Sequence, residues 1–179
     1  MISDHFLQKG TTMKKSVILL ILVTFTGLAI QAAHAQSAVA TQSLSLAVDA
    51  VYKIATSGNP AALAITTGTA GVDALTSVSD ATTTYSITQN YGNAVKITGN
   101  LDATLPSGYR LQIDLASSKG TSAGAVDISN ATSGTAADVV TAIAAGSDAN
   151  KSITYTFSAL ASAGTLASSA RTVTLTLTN

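Results

Sequence analysis

From Gln42 to Thr56 the chain reads QSLSLAVDAVYKIAT, and every second residue is apolar, from Leu44 through Leu46, Val48, Ala50 and Tyr52 to Ile54. The residues between them are mostly Ser, Asp, Lys or Ala. A period of two belongs to a β-strand and not to a helix, so this stretch predicts one strand over Gln42–Thr56 with a single apolar edge. All of its inward residues except Ala50 are large, and each contributes about 1.5–3 kcal/mol when fully buried. Such a strand must complete a sheet, in its own domain or in a neighbour's. A strand that is kept makes an ordinary domain; one that is lent makes a polymer.

Upstream lies a leader pattern. After MISDHFLQKGTT come Met13-Lys14-Lys15, an apolar run from Val17 to Ile30, and Ala33-His34-Ala35. A basic start, a short apolar centre and an A-x-A site make a secretory signal peptide over residues 1–35, with Met13 as its start. The apolar run is shorter than the roughly 20 residues of a membrane span. Cleavage after Ala35 leaves Gln36 as the first mature residue, so the expected organisation is a strand segment over 36–56 followed by one domain over 57–179. The expected location is outside the cell or at its surface, in a bacterium, with no membrane attachment once the signal is removed.

Both His residues, His5 and His34, precede that cleavage point, and the chain has no Cys and no Trp. No disulfide framework is available. From Gln36 onward eight Asp face four Lys and two Arg. That balance offers no basic track for nucleic acid or an anionic membrane. Abundant Thr, Ser, Val and Leu with little charge is a sheet composition.

Alternation marks further strands. Thr83–Thr88, Ala94–Leu101, Tyr109–Leu115 and Ile153–Phe157 each present one apolar face, and so does the closing RTVTLTLTN. Ala62–Thr67 and Val126/Ile128 predict shorter strands. Asn90-Tyr91-Gly92-Asn93 has hairpin composition between its two flanking strands. Thr135–Gly146, TAADVVTAIAAG, is the single helix candidate, with Thr135 as cap and Gly146 as stop, although its Val pair is equally at home in a strand. The sum is an all-β chain, an antiparallel immunoglobulin-like β-sandwich of about seven to nine strands with at most one short helix.

Missing residue types decide the chemistry. Without His or Cys after residue 35 there is no Ser-His-Asp triad, thiol nucleophile or nitrogen/sulfur zinc site. A carboxylate pair would have to come from Asp alone, and Asp49, Asp114 and Asp127 fall on polar strand faces. No catalytic residue, cofactor or metal site is therefore expected, and the chain is read as a non-enzyme. Asp73 with Asp80, or Asp148 with Asn150, offers calcium-type oxygens, but single acids in turns are ordinary turn formers. Lys53, Lys96 and Lys151 lie on or beside strands without a buried acid expected next to them, so isopeptide cross-links are not expected either. Tyr52, Tyr85, Tyr109 and Tyr155 read as core, whereas Tyr91 stands in a loop and is the one candidate contact aromatic.

With its alternating segment Gln42–Ile54, TYSITQNYGNAVKITG and closing TVTLTLTN, the chain resembles bacterial fimbrial and surface-filament subunits in general plan. It lacks the disulfide of chaperone–usher pilins and the long N-terminal helix of type IV pilins. The resemblance implies a structural subunit of an extracellular filament, pilus- or fimbria-like, assembled as a head-to-tail homopolymer from copies of itself. In that reading Leu44, Leu46, Val48, Ala50, Tyr52 and Ile54 form the donor strand that enters the adjacent subunit. The alternative is a monomeric secreted adhesin or carbohydrate- or surface-binding module that keeps the strand at home.

Overall fold

The computed structural model describes residues 38–179. The expected signal peptide, with its Met13 start and cleavage after Ala35, lies outside the described residues. The chain divides between Leu46 and Ala47. Residues 38–51 carry no regular secondary structure and are exposed throughout.

Nine strands follow: β1 (Tyr52–Thr56), β2 (Val78–Gln89), β3 (Val95–Leu101), β4 (Tyr109–Leu115), β5 (Thr121–Ser122), β6 (Val126–Asp127), β7 (Ala137–Ile143), β8 (Gly146–Ala159) and β9 (Val173–Thr178). The only helical turn among the described residues is a 3₁₀ turn over Ala161–Ala163. One sheet runs β1-β2-β8-β4-β6 and the other β5-β7-β3-β9, with every pairing antiparallel. The fold is an all-β antiparallel sandwich.

The alternation in sequence shows why these segments pair. β4, YRLQIDL, buries Leu111, Ile113 and Leu115 and turns Arg110, Gln112 and Asp114 outward. β3 buries Val95, Ile97 and Leu101, and β8 buries Ile153 and Tyr155. The two inner faces meet at Gly99 of β3. A Cβ there would lie 3.1 Å from Val139 of β7, 3.6 Å from Leu175 of β9 and 4.0 Å from Ile113 of the opposite sheet. A Cβ here would be in ordinary contact with the opposite layer but would crowd Val139 on the adjacent strand, which would have to give by a few tenths of an ångström, so glycine fits this otherwise alternating strand.

Three expectations need correction. The strand over Gln42–Thr56 is confined to Tyr52–Thr56. Ala62–Thr67 is not a strand; its surroundings make only isolated bridges, Gly68 with Leu75 and Ala74 with Leu160, while Leu63 and Ile65 are half-buried. The helix candidate Thr135–Gly146 is strand β7. Its register against β3 slips twice, between Val95 and Ile97 and again between Ile97 and Thr98, each time placing an extra β7 residue in the ladder. These bulges bury Val139, Val140 and Ile143 together, a spacing that imitates one face of a helix. Ala142 reaches φ 54° within the distortion.

The turn Asn90–Asn93 also differs from the hairpin its composition suggests. β2 pairs with β1 and β8, and β3 pairs with β7 and β9, so residues 90–94 carry the chain from one sheet to the other. Gln89 closes that end of the sandwich: its buried side-chain amide donates to Ile143 O at 3.2 Å, and its Oε1 accepts from Tyr91 N at 2.8 Å. The ends of the sandwich are thereby defined. One end gathers Tyr52, Gln89, Val95 and Thr178; the other gathers Val78, Leu101, Tyr109 and Val173.

Candidate assembly surface

The six alternating residues singled out in the sequence meet two fates. Tyr52 and Ile54 stand in β1, half-buried against the core. Their partners in β2 are Gln89 and Ile87. Ala50 is exposed, and Leu44, Leu46 and Val48 are 80%, 85% and 86% exposed, outside any strand. The reason for the change lies in the register. Tyr52 pairs with Gln89, the last residue of β2, and beyond it β2 has left for the other sheet. Residues before Tyr52 have run past the end of their neighbour.

Asn90 marks this end. Its side-chain Oδ1 accepts from Val51 N at 2.6 Å and its Nδ2 donates to Asp49 O at 2.9 Å, while its own backbone N donates to Val51 O at 3.3 Å. An amide side chain carries N–H donors and a carbonyl acceptor, the same kinds of group that a strand backbone offers, so Asn90 acts as one further rung of the ladder. It holds Asp49–Val51 at the point where the segment leaves the sandwich. Tyr91, the candidate contact aromatic, is half-buried and lies against Tyr52, with ring centroids 5.5 Å apart. Composition flags Asn90 as a turn residue, but its partner is 39 positions away and no local signal points to it.

Two of the four sheet edges are long enough to accept a strand. β5 and β6 have two residues each, whereas β1 has five and β9 six. β9 pairs with β3 alone. Its Val173, Leu175 and Leu177 are half-buried against the core, and Thr174 and Thr176 face outward and are exposed. An edge of this kind keeps unpaired backbone donors and acceptors beside a row of partly covered apolar side chains.

Acids within the sandwich are held by partners in the fold, whereas no partner is seen for the Asp49 carboxylate among the described residues. Asp148, 3% exposed, accepts from the backbone N of Ser118 at 2.7 Å, the hydroxyls of Ser117 and Ser118 at 3.0 and 2.8 Å, and Lys119 N at 3.2 Å, with Lys151 Nζ at 3.2 Å. Burial pushes its carboxyl upward, but the hydrogen bonds, led by the Ser118 backbone amide, outweigh it and bring the pKa to about 2. The group fastens the loop after β4 to β8. Asp73 accepts from Ser162 N and Oγ, both at 2.8 Å, and Asp80 accepts from its neighbour Thr82. Of the residues considered for calcium, Asp73, Asp80 and Asp148 thus each have separate protein partners. Arg110 meets Asp127 at 2.8 Å and Lys96 meets Asp138 at 2.9 Å, both pairs at the surface.

A cleft of about 590 Å³ opens beside Leu75, Leu105, Tyr109 and Leu160. Its charged residues, Arg110 and Asp127, neutralise each other. No family model matches the chain, and comparisons with curated proteins and with solved structures return no match.

Proposed function

We propose that the chain is a structural subunit of an extracellular, pilus- or fimbria-like filament, assembled when the N-terminal segment of one copy adds a strand to the next. One observation carries the reading: Leu44, Leu46 and Val48 alternate as in a strand yet stand 80–86% exposed immediately before β1. Three such side chains hold roughly 5–9 kcal/mol of burial free energy. Ordering a segment and joining two molecules consumes part of that, so the contact is worth forming only with good backbone pairing. Because Tyr52 and Ile54 already pair at home, the donated part is narrowed to Leu44–Val48. The partner is another copy of the chain, and the leader pattern supports export.

The test is electron microscopy of the exported protein beside a Leu44→Asp/Leu46→Asp/Val48→Asp variant. Fibres are expected from the first and only monomers from the second, with the same thermal unfolding curve for the monomer. A parent protein that stays monomeric at high concentration would overturn the reading and favour the secreted binding module.

A further inference from the structure

The geometry points to the outer edge of β9 as the acceptor of the donated segment, entered antiparallel, with Leu44 opposite Leu177, Leu46 opposite Leu175 and Val48 opposite Val173. This rests on the strand-donation reading above and adds where the segment goes and in which direction. β9 is the longest of the four edge strands, and its three half-buried apolar residues repeat the period and number of the three exposed ones. On β1, the other edge of useful length, only Tyr52 and Ile54 face the core. Outward residues match as well, Ser45 and Ala47 falling against Thr176 and Thr174.

Charge selects the direction. The only charged residue from 38 to 51 is Asp49. In the antiparallel register it reaches Thr172, next to Arg171. That guanidinium is exposed and has no acid partner among the described residues; it donates only to Ala170 O at 3.4 Å. Asp102, whose backbone N bonds Thr172 O, commits a carboxylate oxygen to Ala103 N at 3.0 Å. In the parallel register Asp49 would instead lie by Thr178, where the cation on the adjoining β3 residue is Lys96, already paired with Asp138 at 2.9 Å.

Direction then sets the assembly. The segment leaves its own sandwich at the Asn90 end, and Val48 lies within about 13 Å of Tyr52 even when fully extended. Antiparallel entry puts this end against the neighbour's Val173 end, which is the opposite end of the sandwich. Unlike ends meeting generate an open head-to-tail chain. Parallel entry brings like ends together and permits a closed two-fold dimer.

The chain has no Cys, so single introduced thiols report one contact each. Ser45→Cys protein is mixed with Thr176→Cys protein, assembled and oxidised; a second mixture pairs Ser45→Cys with Thr174→Cys. A reductant-sensitive covalent dimer is expected from the first mixture and its loss in the second, because the alternative site is displaced by about 6.6 Å along the strand. The reverse preference overturns the direction, and fibres that yield no cross-link in either mixture overturn the β9 edge. Absence of fibres from the Cys-free parent overturns strand donation itself, and the acceptor with it.

Discussion

Leu44–Val48 and Tyr52–Ile54 belong to one uninterrupted pattern, yet the second half is sheet and the first is not. Nothing in the side chains separates them: Leu and Val are as suited to a strand as Tyr and Ile. What separates them is the length of β2, which ends opposite Tyr52. Alternation therefore encodes the capacity to pair, and a neighbouring backbone decides whether that capacity is used. The comparison also gives Asn90 its meaning, since its side chain supplies the last rung at the boundary between the two halves.

The sharpest way to break this comparison is to truncate one apolar residue on each side of it. Ile97→Ala, at a fully buried site, is expected to cost the isolated domain about 2–5 kcal/mol in denaturant unfolding. Leu46→Ala should change monomer stability by less than about 0.5 kcal/mol while weakening fibres. Comparable losses at both positions would show that the leading segment already packs at home.

Acid sharpens the same contrast from inside the domain. Asp148 has a folded pKa lowered to about 2, below its unfolded value, so its stabilisation is complete above about pH 4 and disappears as pH falls through 2. The loss should amount to about 2 kcal/mol. Urea titrations at pH 7, 4 and 2 should show this slope in the parent and a flatter one in Asp148→Asn. An equal slope in the variant assigns the titration to another group. A smaller effect than that of Asp148 is expected at the boundary. Asn90→Ala removes two exposed hydrogen bonds, so it should cost about 1 kcal/mol and speed amide exchange at Val51 and in β1. Unchanged exchange at Val51 would mean that Asn90 does not hold the exit.

Legibility followed regularity. β4 alternates without interruption and its inward set is readable residue by residue; the same holds for β9. β7 is ambiguous between helix and strand in sequence because its two bulges break the period of two and bury the consecutive pair Val139 and Val140 with Ile143. The 90–94 link was misread as a hairpin because turn chemistry states that the chain reverses and is silent on which sheet it joins next. Asp148 offered no sequence signal at all. Its donors, Ser117 to Lys119, come from a loop some thirty residues earlier, brought to it only when β4 and β8 pair.

By itself the sequence determined that the chain is a sheet protein, which residues can line a core, and that an apolar comb precedes the domain. These are properties of periodicity and composition, and each is carried by residues close together in the chain. The tertiary structure decided which strands are neighbours, where β2 stops, that only part of the comb finds a partner at home, and that β9 is left as an open edge. Those outcomes depend on backbones meeting across long separations, and a backbone's hydrogen-bonding groups are the same at every residue except proline.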